Sequence, residues 1–158
     1  MKRKISPRFI KPAEEAVRQL KKKYQQDLIS VVLYGSVARR EEKETSDLDL
    51  FIVLKGPFRF VSKRREVYDL LSQITPDVFF SPMIMDENEV KKLQPIHFEL
   101  YADGIVLYDS GDFMKKILRR VGEIIKELGS TRYRTGDGCY GWILKRDMKK
   151  GEVIEVEL

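Results

Sequence analysis

An α/β (α+β) fold is predicted from three features of the 158-residue chain. Short runs dense in β-branched and aliphatic residues, such as Leu28–Tyr34 and Leu50–Leu54, alternate with stretches whose apolar residues recur at helical spacing. Turn punctuation separates them, at Gly35, Gly56-Pro57, Pro76 and Asp103-Gly104. Beyond Gly129 the character changes to short segments broken by Gly136-Asp137-Gly138 and Lys149-Lys150-Gly151. Residues 1–110 therefore read as an α/β core, and 111–158 as a helix plus β-hairpin extension packed against it.

The elements follow in order. Ala13, Ala16, Val17, Leu20 and Tyr24 mark a first helix, with Pro12 in its opening turn. Leu28–Tyr34 is a buried strand, and a second runs from about Ser46 to Leu54. Ser62 suits the cap of a helix whose inner face is Val67, Leu70, Leu71 and Ile74, stopped by Pro76. Asp77 to Met85 reads as the third strand, and Asp86 as the cap of a short helix through Leu93. A short helix over Pro95–Ala102 and a strand over Ile105–Tyr108 complete the core. Phe113, Ile117, Leu118, Val121, Ile124, Ile125 and Leu128 form one stripe on the clearest helix, closed by Gly129. In the tail, Tyr140–Leu144 and the alternating Val153–Leu158 are predicted strands.

Composition removes several classes. Cys139 is the single cysteine, which excludes a disulfide scaffold. No apolar run approaches the roughly 20 residues of a membrane span. The basic start, Lys2-Arg3-Lys4, lacks the apolar stretch of a signal peptide, so a cytoplasmic protein is expected. Thirty Lys and Arg against 25 Asp and Glu give a net charge of +5. On so charged a chain this is first a solvated surface, and nucleic-acid binding stays open. Asn88 is the only asparagine beside many Lys and Glu, a pattern of thermophile proteins.

The chemistry concentrates in Gly35-Ser36-Val37-Ala38-Arg39 and Ser46-Asp47-Leu48-Asp49-Leu50. Residues two apart on a strand share a face about 7 Å apart. Asp47 and Asp49 thus stand together, while Leu48, Leu50, Ile52 and Leu54 supply the opposite, apolar face. Paired carboxylates repel, so they want a cation or water between them, and hard oxygens suit Mg²⁺ or Mn²⁺. A glycine turn running from a strand into a helix lets backbone approach a phosphate closely, with Ser36 and Arg39 as side-chain partners. Each half alone is as readily a plain turn or strand entrance. Together they form a metal–triphosphate site, and a two-metal mechanism wants one further carboxylate, for which Asp77 is the candidate. Neither the dinucleotide-binding glycine fingerprint nor the Walker phosphate loop is present.

These residues resemble the nucleotidyltransferases of the DNA polymerase β superfamily, specifically the minimal nucleotidyltransferase group. That group's pattern is G-S-x-A-R-G followed by S-D-x-D-L, matched here by Gly35, Ser36, Ala38, Arg39, Ser46, Asp47, Asp49 and Leu50. Arg40 departs from it, standing where the group usually has glycine. The resemblance covers about residues 12–109. It implies a short mixed sheet flanked by helices, binding ATP or another nucleoside triphosphate through Mg²⁺. It also implies metal binding by Asp47 and Asp49, triphosphate contacts by Gly35 and Ser36, and a third acid on a later strand, assigned to Asp77. The implied reaction is attack by an acceptor hydroxyl on the α-phosphorus, most simply AMP transfer from ATP to a protein or small molecule. Many small members pair with a helical HEPN-domain protein, an RNase-like toxin, which makes an antitoxin role a second expectation. A non-catalytic module that masks such a partner is the alternative.

Other residues carry less. His97, the single histidine, is expected to be structural. Trp142, Tyr133 and Tyr140 near Arg132, Arg134 and Lys145 suit either base stacking or a packed hairpin, of which the hairpin is the more ordinary.

Overall fold

The two most apolar runs, Leu28–Tyr34 (β1) and Leu48–Leu54 (β2), pair antiparallel at the centre of a four-stranded sheet. The structure is a computed structural model, and it describes residues 7–158; the basic Lys2-Arg3-Lys4 stretch lies outside them. Outside this central pair lie Phe80–Asp86 (β3), parallel to β2, and Ile105–Asp109 (β4), antiparallel to β1. The order β3-β2-β1-β4 gives the short mixed sheet expected from the sequence.

Alternation along the strands builds two cores. Leu48, Leu50, Ile52 and Leu54 face a layer made by helices Pro7–Tyr24 (α1) and Phe60–Ser72 (α3), whose Phe9, Ala13, Leu20, Val67 and Leu71 are fully buried. Phe51 and Val53 face the opposite layer, with Leu100 of helix Pro95–Asp103, and with Met114, Ile117 and Val121 of helix Phe113–Leu128. A β-branched, apolar strand is stable at this position because both of its faces are covered.

The α1 helix starts earlier than the reading from Ala13, so Pro12 lies inside it rather than in its first turn. Burial of Phe9, 1% exposed, accounts for the added turn. The third strand begins at Phe80, not at Asp77, because Pro76 to Val78 form a turn ahead of it. Asp86 does accept hydrogen bonds from the Asn88 and Glu89 N–H groups, but a turn rather than a helix follows.

The short helix Gly35–Arg39 (α2) follows β1 directly. Helices Pro95–Asp103 (α4) and Phe113–Leu128 (α5) cross where Gly122 admits Tyr101. The Asp109 carboxylate caps α5, accepting from Met114 N–H at 2.9 Å and Lys115 N–H at 3.0 Å. After Gly129, Thr131–Arg134 (β5) pairs antiparallel with Tyr140–Ile143 (β6) across the Gly136–Gly138 turn. The extension is thus a helix and a hairpin, but the hairpin partner of Tyr140–Ile143 is Thr131–Arg134. Val153–Leu158 is not a strand; its one ladder contact is the Lys92–Glu157 bridge. Alternating apolar and acidic residues fit an edge strand, but no neighbouring strand offers the chain end a continuous ladder.

Candidate active site

Tyr34, the last residue of β1, stands opposite Asp49 of β2. Gly35 follows at φ 73°, in the left-handed region where glycine pays no side-chain penalty. The turn into α2 therefore passes directly over the Asp49 carboxylate. The chain leaves α2 through Arg40, at φ 62° and ψ 41°, with the Arg40 N–H on Val37 O and the Glu41 N–H on Ser36 O. This is the position the group pattern gives to glycine, and the left-handed backbone is the reason for that preference.

Residues 43–46 then turn the chain back towards the sheet. The Lys43 N–H donates to Ser46 Oγ at 2.8 Å, and the Ser46 N–H to Lys43 O at 3.0 Å. Ser46 thus shapes the approach that delivers Asp47 to the mouth of β2. Asp47 is exposed, just before the strand, and Asp49 is half-buried two residues on. Both lie on the face that continues inward as Phe51 and Val53. That placement determines the electrostatics of Asp49. Burial pushes its carboxyl above the usual range, a hydrogen bond from Ser81 pulls it back, the Asp47 charge raises it again and Arg39 lowers it. Beside it, burial and the Asp49 charge push the Tyr34 phenol up to about 12.

Arg39 is held rather than free. Its Nε donates to Glu41 Oε2 at 2.9 Å, and its guanidinium lies 4.9 Å from the centre of the Tyr140 ring. Ser36 is half-buried at the start of α2. Asp77 is exposed in the turn before β3; its carboxylate meets Thr75 Oγ1 at 3.5 Å, and its carbonyl accepts from Arg8. The register of β3 on β2 puts Ser81 beside Asp49. The structure therefore brings together Gly35, Asp47, Asp49 and Arg39, and holds Asp77 apart in its turn.

Among the described residues no group of three or more His, Cys, Asp or Glu side chains is arranged to hold a metal ion. The donor set is a pair of carboxylates, one water-facing and one partly desolvated. This fits a hard divalent cation that completes its shell with phosphate oxygens and water.

Ser81 and Glu41 did not stand out in the sequence, and Tyr140 stood out there only as a hairpin aromatic rather than as a neighbour of Arg39. Ser81 depends on a strand register that the sequence does not print, and Tyr140 reaches the site from the far end of the chain. Glu41, two residues after Arg39, is the one that charge pairing along the chain could have found. Trp142 packs on Phe98 at 5.4 Å and donates to Glu99 at 2.8 Å, so the hairpin is the packed kind. His97 is structural: it is fully buried, its Nδ1 accepts from the Gln94 N–H at 3.0 Å, and its Nε2 lies 2.9 Å from Val90 O. A groove of about 1460 Å³ lies between α4, β6 and the chain end, and its lining includes Tyr140 but neither carboxylate.

A mixed sheet with a glycine turn over paired strand carboxylates defines a nucleotidyltransferase. The family model described as "Polymerase beta, Nucleotidyltransferase" matches residues 15–112, and the chain belongs to that family. It is 28% identical over 120 residues to a Methanocaldococcus jannaschii protein named "Putative protein adenylyltransferase", covering 73% of this chain and 82% of that one. Two solved structures share the fold. A spectinomycin adenyltransferase from Enterococcus faecialis, with ATP and spectinomycin, superposes with a TM-score of 0.55 at 16% identity, over 75% of this chain and 66% of the other. A toxin–antitoxin structure with AMP-PNP gives a TM-score of 0.51 at 15% identity, over 73% and 92%. The chain is an enzyme of the nucleotidyltransferase class. No helix among the described residues is long and apolar enough to cross a membrane.

Proposed function

We propose that the protein transfers AMP from ATP to a hydroxyl group on a protein or small-molecule acceptor. The observation that carries this reading is the Asp47–Asp49 pair beneath the Gly35 turn, with Asp49 partly desolvated and Arg39 within its field. The name of the M. jannaschii relative supports adenylyl transfer to protein.

In this reading Asp47 and Asp49 would hold Mg²⁺, or Mn²⁺, and the ion would offset negative charge on the triphosphate and on the leaving pyrophosphate. Gly35 lets the backbone approach the phosphates, Ser36 donates its hydroxyl to them, and Arg39 pairs with their charge. The acceptor oxygen attacks the α-phosphorus, the α–β anhydride bond breaks, and pyrophosphate leaves. Asp77 would act as the third acid by taking the acceptor's proton; among the described residues its carboxylate does not join Asp47 and Asp49 in a group able to hold a metal. Because its turn stands apart from the pair, Asp77→Ala is tested separately.

A partner protein is the second reading, and a surface feature favours it. Phe60, Val61 and Tyr68 on α3 and Phe79 ahead of β3 are exposed large apolar residues, Phe79 at 71%. Such a surface suits a protein acceptor, and a helical HEPN-domain protein is the candidate. In the non-catalytic form of this reading, the surface masks the partner without chemistry.

The test is label transfer from α-labelled ATP, with Mg²⁺, into soluble extract of the source organism. A labelled band lost in the Asp47→Ala, Asp49→Ala double variant establishes the transferase and supplies its acceptor. A folded protein that captures a partner equally well with or without the two aspartates, and labels nothing, establishes the masking module instead.

A further inference from the structure

The hairpin lies outside the family match, which ends at residue 112, yet it reaches the one motif residue that carries positive charge. Tyr140 of β6 donates its hydroxyl to Glu41 Oε1 at 2.7 Å, while the other oxygen of the same carboxylate accepts from Arg39 Nε at 2.9 Å. The Tyr140 ring also lies under the Arg39 guanidinium at 4.9 Å, a distance at which cation–π attraction operates. Arg39 is thus restrained twice by one tyrosine, through a shared carboxylate and through the ring face. The bond to Glu41 uses Nε, which leaves the two terminal nitrogens for an anion.

Tyr140 is itself firmly placed. Arg132, next but one before the end of β5, pairs with Glu99 and with Asp103 of α4, and its guanidinium lies 4.0 Å from the Tyr140 ring centre. Trp142, two residues after Tyr140, is bonded to Glu99 and packed on Phe98. These contacts hold the hairpin on α4, whose position against the sheet is set by the buried Leu100. A long, flexible arginine gains affinity for phosphate when its orientation is set before the ligand arrives.

We propose that Tyr140 is a positioning residue of the nucleotide site, orienting the Arg39 guanidinium towards the triphosphate through Glu41 and through its ring. This rests on the assignment of the Asp47–Asp49 site to a nucleoside triphosphate. A purely structural Tyr140 would only pin the hairpin, and its loss would then act on stability independently of Arg39.

The test is a double-mutant cycle on the full chain, read by calorimetric titration with a non-hydrolysable ATP analogue and Mg²⁺. Tyr140→Phe, which keeps the ring, is expected to weaken binding about fivefold, and Tyr140→Ala further, each with the melting temperature recorded alongside. In an Arg39→Ala background, Tyr140→Phe is expected to change the affinity less than about 1.5-fold, since no guanidinium remains to orient. An unchanged affinity of Tyr140→Phe, or a fivefold loss that persists without Arg39, overturns the proposal while leaving the nucleotide site standing. A folded wild-type chain that does not bind the analogue overturns the nucleotide assignment and this proposal with it.

Discussion

Gly35 lies against the carboxylate of Asp49. A Cβ built on Gly35 would stand 2.9 Å from Asp49 Cγ and closer still to Oδ2, so the turn and the acid occupy space that only glycine leaves open. The contact follows from the β1–β2 register, which sets Tyr34 opposite Asp49 and hands the next residue to the turn. The two halves of the motif, distant by a dozen residues in the chain, are one steric unit in the fold.

Gly35→Ala should therefore damage both stability and chemistry. The positive φ costs about 1 kcal/mol for alanine, and the overlap with Asp49 forces a further shift of strand or side chain. A total loss of about 2–4 kcal/mol is expected in denaturant unfolding. Adenylyl transfer should fall with it, because the same shift moves Asp49. A variant that melts like wild type would show that the turn can relax without disturbing the acid.

Asp49→Asn should separate stability from function in the opposite direction. Burial and the neighbouring Asp47 both disfavour the Asp49 charge in the metal-free protein. Removing that charge is expected to raise the melting temperature by about 3 °C in the presence of a chelator. Metal-dependent nucleotide binding should be lost in the same variant. A drop in melting temperature would mean that the Ser81 hydrogen bond contributes more than burial costs.

Much of this site was legible from residue order, and the reason is local. Gly35, Ser36, Asp47 and Asp49 flank two adjacent strands joined by a short helix and a loop, so spacing along the chain nearly determines spacing in space. Asp77 was harder, because its place depends on where β3 begins. Pro76 delays that strand to Phe80, and the parallel register then puts Ser81 beside Asp49. The tail was hardest. Thr131–Arg134 is strongly polar, and as a strand it pairs with β6 while Arg132 and Trp142 dock on the Glu99 side of α4. No periodicity in the tail announces that contact.

His97 gives a pH dependence of stability. Burial holds its pKa below the ordinary 6.5, with the hydrogen bonds to Gln94 and Val90 opposing part of the effect. Below pH 6.5 the unfolded chain takes up a proton that the folded chain refuses, so stability is complete above that value and falls as pH drops towards the folded pKa. Glu15, Glu41 and Glu66, held below their ordinary 4.5, add their own losses only further down. The unfolding free energy should therefore slope downward as pH falls below about 6.5, and His97→Gln should flatten that slope even if it lowers stability throughout. Equal slopes in the two proteins would remove His97 as the cause.

Arg40 offers a stabilising substitution in the heart of the motif. Its backbone sits at φ 62° and ψ 41° as the cap of α2, where a β-carbon is strained and glycine is not. Arg39 and Glu41 bond to each other across position 40, and the Arg40 side chain has a partner of its own, so the strain relieved at its backbone is set against the contact it gives up. Arg40→Gly relieves the strain in the folded state but loosens the unfolded chain, and the first effect is the larger where φ is positive. The expected gain is about 1 kcal/mol, or about 3 °C in melting temperature, with nucleotide affinity unchanged within about twofold. A loss of stability would show that the Arg40 side chain contributes more through its contacts than its backbone costs, and would explain why arginine stands where the group pattern has glycine.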